Sequence, residues 1–391
     1  MLTTEQRQNR ETAVRFMQAH AVPQATAWDE QGEIPRAILT RMADQGLLGT
    51  FIGTDQGGRG WDALSFGLLC EQTGAASASL LSILTVHSMT LQAVAQWGTP
   101  EQKQRWLQSL ATGNTLAAFA LTEPDIGSDA SNIATRIEPE GTGYRLTGRK
   151  KWISFGRHAD VFLVMARQDK LPVALLVPRD TPGLTVAPMT GLLGFRSAGL
   201  AEITFDNCPL PAAALVGRIG GGFSHVASAS LDLGRFCVAF GCLGIIEACT
   251  LDAVVYARSR RQFGVPIFQH ELILELIADM ITGAKSVRQL CYHAAALRQA
   301  AEPESILETT VAKYAASRTA ARVAGNAVQV HGAMGCSSQT RVERMFRDAR
   351  ICEIIEGSNQ MQQLMIARNG AAEYLREARR LEKGTGDGVG A

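Results

Sequence analysis

The sequence has no excess of charge of either sign and no paired cysteine motif. Its 391 residues carry 38 Lys and Arg against 37 Asp and Glu, a formal net charge of +1. This balance gives no electrostatic reason to expect binding to nucleic acid or insertion into a membrane. The eight cysteines are scattered without a Cys-x-x-Cys pair, and their neighbours are apolar. We therefore expect buried free thiols in a reducing compartment rather than disulfides or a metal site.

Three further signals are missing. The first seven residues carry charges where a signal peptide needs an apolar core. No run approaches the roughly twenty apolar residues of a transmembrane helix, so we expect a soluble, cytoplasmic protein. No convincing Gly-x-Gly-x-x-Gly stands between a strand and a helix, and the common dinucleotide fingerprint therefore does not help to identify a cofactor.

The hydrophobic periodicity changes twice along the chain. From residue 4 to about 116 apolar residues repeat at helical spacing. From about 117 to 216 the apolar runs are short and bounded by Gly, Pro, Asn or Asp, which predicts strands in a small β-barrel or sandwich. Helical spacing then returns in four long segments, which predicts a bundle. These segments are 224–259, 271–300, 305–331 and 359–380.

We therefore predict an α+β multidomain fold. An N-terminal helical domain (1–116) is followed by a middle β-barrel or sandwich (117–217) and a C-terminal four-helix bundle (218–382). The length of the chain is sufficient for two or three domains with sizeable cores. The Gly-rich tail, 383–391, is predicted to be disordered.

One carboxylate, Glu356, stands directly before a Gly-Ser turn and a polar, helix-like segment. Ser358 can cap that segment by accepting a backbone N–H, and the exposed amides of the helix would favour a nearby anionic group. A base and a cofactor could meet here. Acidic residues before helices are also commonly ordinary first-turn charges, so the motif alone leaves both interpretations open.

Five motifs, in order, resemble those of the acyl-CoA dehydrogenases and together cover nearly the whole chain. The segment 347–362 resembles the catalytic run of that family, in which Tyr-Glu-Gly-Thr precedes a Gln-rich helix. The other four are similar to its flavin-contacting loop, its Trp-Ile-Thr strand, its Arg-x-Gln-Phe-Gly and its Gln-x-x-Gly-Gly-x-Gly. They are Ala118 to Asp129, Lys151 to Ser154, Arg260 to Gly264 and Gln329 to Gly335. The resemblance implies the same helix, barrel and bundle order, with FAD between barrel and bundle.

The resemblance also implies which residues contact FAD. Along the flavin and its phosphate chain these are Phe119, Leu121, Thr122, Gly127 and Ser128; beside the isoalloxazine ring they are Trp152, Ile153 and Ser154. The remaining implied cofactor-binding residues are Arg260, Phe263, Glu271, Gln329, Gly332, Ala333, Ser358 and Gln360. The residue types suit these roles, because glycine allows close backbone approach, hydroxyls donate hydrogen bonds and tryptophan offers a flat apolar face. A strand tryptophan is also commonly a plain core residue.

In the family, the segments around Arg260 and Gln329 reach the flavin of a neighbouring subunit, which implies a homotetramer or dimer. Arg260 would bring a planar cation suited to the pyrophosphate, or is a solvated cation at a helix end. Two positions depart from the family pattern. Glu271 stands where relatives carry a flavin-contacting Gln, with Gln269 two residues earlier, and Ala333 replaces the second motif glycine.

The activity implied is FAD-dependent α,β-dehydrogenation of an acyl thioester. The α-proton of a thioester is weakly acidic, so its removal needs a placed base, stabilisation of the enolate and a hydride acceptor over the β-carbon. By resemblance, Glu356 is the base, its backbone N–H and a flavin ribityl hydroxyl hold the carbonyl, and flavin N5 accepts the hydride. Some relatives keep the base on another helix, at the position that is Gly234 here. Because glycine has no basic side chain, Glu356 is the only candidate base at these two positions.

The implied substrate-binding residues are Ser128, Asp232, Arg235 and Gly357. Asp232 and Arg235 would contact pantetheine, or alternatively pair with each other along their helix. An acyl-CoA substrate is slightly favoured. Ile355 replaces the usual Tyr beside the base, and Gln363 stands where relatives commonly have Arg. These changes resemble members that oxidise acyl or aminoacyl groups on carrier proteins in secondary metabolism.

The resemblance further implies an electron-transfer flavoprotein as the electron acceptor. Two less favoured alternatives are a flavin monooxygenase or oxidase on the same fold and a non-catalytic partner subunit. Glu356 argues against both, because such a monooxygenase tends to lack a Glu at this site and a silent subunit needs no base.

Overall fold

The computed structural model describes residues 1–386 and shows a helical N-terminal part. Its α-helices are α1 Thr4–His20, α2 Ala25–Gln31, α3 Arg36–Asp44, α4 Ala63–Ala76, α5 Ala78–Trp97, α6 Pro100–Gln102 and α7 Gln108–Ala111. Ser77 separates α4 from α5 and caps α5, because its hydroxyl accepts the backbone N–H of Leu80 at 3.2 Å. Helices α4 and α5 are apolar on nearly all sides and largely buried, so they lie at the centre of the molecule.

The middle part is a mixed β-sheet. Its strands are β1 Ala117–Ala120, β2 Arg136–Glu140, β3 Gly143–Ile153, β4 Val161–Gln168, β5 Leu171–Pro178, β6 Leu184–Pro188, β7 Ala201–Pro211 and β8 Leu215–Val216. The sheet order is β6-β7-β3-β2-β4-β5-β8, and β1 pairs in parallel with β4. The predicted β domain between two helical domains is confirmed.

A bulge in β3 presents Trp152. The pairing of β3 with β7 shifts register between Lys150 and Ile153. Within this bulge Trp152 has a left-handed φ of 63°, which is uncommon for a bulky residue. Half of the residue is exposed.

The C-terminal part is again helical. It contains α8 Ser228–Ser259, the short hairpin β9 Arg261–Gln262 and β10 Val265–Pro266, then α9 Glu271–Gln299, α10 Ser305–His331, α11 Val342–Cys352 and α12 Asn359–Gly386. The four long helices of the predicted bundle are α8, α9, α10 and α12. The sequence reasoning did not predict the shorter α11. Helix α12 continues through 383–386, part of the predicted disordered tail, because each residue added to a formed helix gains a hydrogen bond; 387–391 lie outside the described residues.

Glycines bring α4 of the N-terminal part against α8 of the C-terminal part. A Cβ added at Gly74 would lie 2.6 Å from the Cα of Gly241, and one at Gly244 would lie 2.7 Å from the backbone nitrogen of Ala75. Both distances are too short for any side chain, so the two helices meet backbone to backbone. This contact fixes α5, which follows α4, beside α8.

Two helical segments are long and apolar enough to cross a membrane by length and composition alone, 78–97 and 222–259. In the first, 89% of the most apolar stretch is buried inside the protein, and in the second 67%. Buried core helices of globular proteins pass the same test, so the observation is weak evidence for a membrane span.

Seven cysteines are buried and free, whereas Cys336 is exposed.

Candidate active site

A cavity of about 1000 Å³ lies where the three parts of the chain meet. Its walls come from α5, from the loops and bulge of the sheet, and from α8 and the α11–α12 connection. Thirteen residues predicted for the site line this one cavity. They are Phe119, Leu121, Thr122, Gly127, Ser128, Trp152, Ile153, Ser154, Asp232, Arg235, Glu356, Gly357 and Ser358.

Glu356 is held in a strained backbone conformation. Its φ is 54°, and that of Gly357 is 88°, so two consecutive left-handed residues reverse the chain between α11 and α12. A non-glycine residue in this region costs of order 1–3 kcal/mol and persists only when its surroundings hold it. The reversal directs the Glu356 side chain into the cavity.

Side chains from three helices hold this turn by donating hydrogen bonds to the carbonyl oxygens of Glu356 and Gly357. Gln362 of α12 donates from Nε2 to the carbonyls of Glu356 at 3.0 Å and Gly357 at 3.1 Å. Lys313 of α10 donates from Nζ to the Gly357 carbonyl at 2.9 Å, and Arg235 of α8 donates from Nε to the Glu356 carbonyl at 3.3 Å. The position of the carboxylate is therefore set by the packing of the whole bundle.

The Glu356 carboxylate has an unused acceptor. Its Oε2 atom is buried and accepts no hydrogen bond from residues 1–386. Burial raises the pKa of Glu356 to about 7, although Arg235 and Lys313 act to lower it. The backbone N–H of the same residue donates to no acceptor among the described atoms. A carboxylate with a pKa near neutral pH, beside a free N–H donor, is suited to removing a proton from a carbon next to a carbonyl group.

The sheet side of the cavity has the features a flat aromatic cofactor requires. Trp152 exposes its ring there, and Ser154 accepts a hydrogen bond from Ser82 of α5 at 2.9 Å. A Cβ added at Gly127 would meet no described atom within 4 Å, which leaves open space beside the loop backbone. The residues predicted to line the flavin ring therefore fit such a group.

The structure separates Asp232 from Arg235. Asp232 pairs with Arg298 of α9, whereas Arg235 bonds the Glu356 backbone. The alternative of an ion pair along α8 is thus wrong, because the two side chains face different neighbours across the bundle. Both residues line the cavity, as their predicted substrate-binding role requires.

Seven predicted cofactor-binding residues do not line the cavity of this chain and are exposed. They are Arg260, Phe263, Glu271, Gln329, Gly332, Ala333 and Gln360. Phe263 is 94% exposed at the tip of the β9–β10 hairpin. Gln269 and Glu271 flank the start of α9 and are also exposed. Of the seven, all except Gln360 were predicted to contact the cofactor of another subunit.

Sequence reasoning missed Lys313, Gln362, Lys150 and Glu123. Lys313 is fully buried on α10, and a signal for it was present. It follows Thr309 by four residues and precedes Ala316 by three, which places a cation on the buried face of a helix. Such a residue needs an internal partner, and its partner is the Gly357 carbonyl.

Known sequences show the same three-part organisation. The chain matches three family models, described as acyl-CoA dehydrogenase N-terminal domain over residues 3–114, middle domain over 118–208 and C-terminal domain over 220–371. An acyl-CoA dehydrogenase of Bacillus subtilis is 36% identical over 94% of this chain and 98% of that protein. The mitochondrial short-chain specific acyl-CoA dehydrogenase of Mus musculus is 36% identical, over 92% and 88%.

Solved structures agree in fold over almost the whole chain. Butyryl-CoA dehydrogenase from Megasphaera elsdenii has a TM-score of 0.91 at 33% identity, covering 95% of this chain and 99% of that one. A glutaryl-CoA dehydrogenase from Mycobacterium smegmatis in complex with FADH2 has a TM-score of 0.90 at 29% identity, covering 94% and 95%. The prolyl acyl carrier protein oxidase AnaB has a TM-score of 0.90 at 26% identity, covering 94% and 99%.

The matched family models, the sequence relatives and the shared fold all point the same way. This chain belongs to the flavin-dependent acyl-CoA dehydrogenase family and is an oxidoreductase acting on CH–CH groups.

Proposed function

We propose that this enzyme uses FAD to introduce an α,β double bond into the acyl group of a coenzyme A thioester, with Glu356 removing the α-proton. The observation that carries the proposal is the buried, unpartnered Oε2 of Glu356, in a cavity lined by thirteen residues implied by the family resemblance.

The chain's own groups account for proton removal. Glu356 is partly ionised at neutral pH, and its free oxygen accepts the α-proton of a thioester bound beside it. The free backbone N–H of the same residue donates to the thioester carbonyl and stabilises the developing enolate. Bound FAD would supply the acceptor for the hydride that leaves the β-carbon.

The cavity also accounts for substrate orientation. Asp232 and Arg298 form a charged pair on its wall, so the polar arm of a thioester can bond there while the acyl chain lies deeper. Acyl burial expels water from around Glu356, which strengthens each hydrogen bond to the enolate.

A coenzyme A substrate is favoured over a carrier-protein substrate. The two sequence relatives described above are named acyl-CoA dehydrogenases. The carrier alternative draws support from the likeness to the prolyl acyl carrier protein oxidase and from Ile355 in the cavity wall. Gln363 gives it less support than the sequence suggested, because this residue is exposed, lies outside the cavity and bonds the hydroxyl of Tyr314 at 2.9 Å.

A homo-oligomer is part of the proposal. Phe263 is almost fully exposed, and Arg260, Gln329 and Gly332 are exposed away from this chain's cavity. In a tetramer or dimer these residues would complete the adenosine end of a partner's FAD site, and the exposed aromatic ring would be buried. An electron-transfer flavoprotein remains the proposed electron acceptor.

The test is an anaerobic titration of the flavin-loaded protein with matched pairs of thioesters, in which short, long and branched acyl groups are each offered on coenzyme A and on a carrier protein. We expect bleaching of the flavin absorbance by the coenzyme A thioester. Bleaching by the carrier-bound thioester alone would establish the carrier alternative, and bleaching by neither would contradict dehydrogenation.

The Glu356→Gln variant tests the base. The substitution is nearly isosteric, so the variant should retain flavin and lose bleaching by the active thioester. Glu275→Gln, at an exposed glutamate of α9, is the matched control and should bleach normally. Rapid bleaching in Glu356→Gln would show that another group removes the proton.

A further inference from the structure

A buried ion pair lies directly behind the sheet side of the cavity. The side chains of Lys150 in β3 and Glu123 in the β1–β2 connection are 0% and 4% exposed, and Nζ lies 2.8 Å from Oε1. Neither residue lines the cavity. Burying two charges costs several kcal/mol each unless further hydrogen bonds compensate, so a pair of this kind calls for an explanation.

Glu123 closes the loop that follows it. Its Oε2 accepts the backbone N–H of Ala134 at 2.6 Å, and its Oε1 accepts that of Thr135 at 2.9 Å. The carboxylate thereby joins the two ends of the segment 123–134. The same segment presents Gly127 and Ser128 to the cavity.

Lys150 ties this loop to the strand that carries Trp152. Its Nζ also donates to the carbonyl of Leu121 at 2.8 Å. The next residue, Lys151, donates its backbone N–H to the carbonyl of Thr122 at 2.9 Å. Strand β3 reaches the bulge at Trp152 two residues beyond Lys150.

Three separate pieces of cavity wall therefore share one buried connection. They are the residues after β1 at 121–122, the loop at 127–128 and the end of β3 with the residue that follows it, at 152–154. Glu123 and Lys150 contribute four side-chain hydrogen bonds to this connection.

We infer that Lys150 and Glu123 are positioning residues that set the shape of the flavin-contacting wall, and through it the affinity for FAD and the surroundings of the bound ring. The inference rests on the proposed function only in taking the occupant of the cavity to be FAD. It is independent of the identity of the thioester and of proton removal by Glu356.

A purely stabilising role makes a different prediction. Removing one partner of a buried pair destabilises a protein because it leaves a buried charge without compensation, whereas neutralising both partners is often tolerated. Lys150→Met tests the first case, and the double variant Lys150→Met/Glu123→Gln tests the second. If the pair only stabilised the fold, recovery of stability in the double variant would bring back normal flavin binding.

The experiment measures two quantities on flavin-free protein, the melting temperature and the dissociation constant for FAD from quenching of flavin fluorescence. The visible circular dichroism of the reloaded protein reports the surroundings of the ring. Arg136→Met is the control, since Arg136 pairs with Glu138 of the same strand, β2, at 3.0 Å and both side chains are at least half exposed.

We expect the double variant to melt near the wild-type temperature yet bind FAD at least tenfold more weakly, with an altered visible circular dichroism. Arg136→Met should match the wild type in all three measurements. Wild-type affinity and spectrum in the double variant would overturn the inference. Failure of the wild-type protein itself to bind FAD would instead overturn the proposed cofactor.

Discussion

The carboxylate of Glu356 occupies the space that a side chain at Gly234 of α8 would need. A Cβ added at Gly234 would lie 2.6 Å from Cδ of Glu356 and 3.1 Å from Sδ of Met89. A carboxylate on residue 234, where some relatives keep the base, would therefore lie in the same part of the cavity as the carboxylate of Glu356. A side chain at position 234 would therefore force the Glu356 carboxylate to move from its present position.

Gly234→Ala should displace the Glu356 carboxylate without touching the sheet side of the cavity. A displacement of about 1 Å can cost a rate of the order of 10²-fold, so we expect thioester-dependent flavin reduction to slow to that extent while flavin stays bound. Gly325→Ala is the control, because a Cβ there would meet only Phe346 at 3.8 Å. Stopped-flow absorbance measures both variants, and an unchanged rate in Gly234→Ala would contradict this geometry.

Glu356→Gln should stabilise the protein at neutral pH. Burial raises the pKa of Glu356 from 4.5 to about 7, so between these values the folded state binds more protons than the unfolded state. The free energy of unfolding of the wild type therefore falls as pH rises through this window and is level above it. The glutamine variant lacks this loss, so above pH 7 its free energy of unfolding should exceed that of the wild type by up to ~3 kcal/mol.

Urea unfolding of flavin-free protein at pH 4.5, 6 and 8 measures this difference, which should grow with pH. A constant difference between the two proteins would show that Glu356 titrates normally.

Lys313→Met should move the pH dependence of the reaction upward. The Lys313 cation lowers the pKa of Glu356, after the larger contribution of Arg235, so its removal raises that pKa above about 7. The wild-type kcat/KM should rise through pH 7 and then level off, because the free enzyme must carry an ionised base. The midpoint in the variant should lie at a higher pH.

Lys285→Met, at an exposed lysine of α9, provides the comparison and should leave the midpoint in place. A midpoint that stays constant or falls in Lys313→Met would mean that Lys313 acts only by holding the Gly357 carbonyl.

Arg288→Met should destabilise the interface between α4 and α9. Glu71 is 2% exposed, and burial raises its pKa even though Arg288 lies 3.4 Å away. Loss of Arg288 removes the cation paired with this buried carboxylate and leaves only the interaction with Arg10, at a cost of about 3–5 kcal/mol. Arg322→Met, which breaks an exposed pair with Asp279, should cost about 0–1 kcal/mol. Equal melting temperatures for the two variants would contradict the expectation.

Local patterns along the chain were sufficient to predict the three-part fold. Helical spacing over 305–331 predicts the bounds of α10, and the segment 271–300 differs from α9 by one residue. Ser358 was predicted as a cap, and its hydroxyl does accept the N–H of Met361, at 3.4 Å. These features depend on residues close together in the sequence. The sequence reasoning did not predict the short α11, although its apolar and charged residues fall on opposite faces of the helix.

The sequence by itself determined the order of helices and strands and, through its motifs, Glu356 as the candidate base. Only the tertiary structure decided how that base is held: the left-handed turn, the three donors from α8, α10 and α12, and the space left by Gly234. It likewise showed that Asp232 pairs with Arg298 and that Lys150 is buried with Glu123. These contacts join residues far apart along the chain, and their distances and burial arise only when the separate elements pack together.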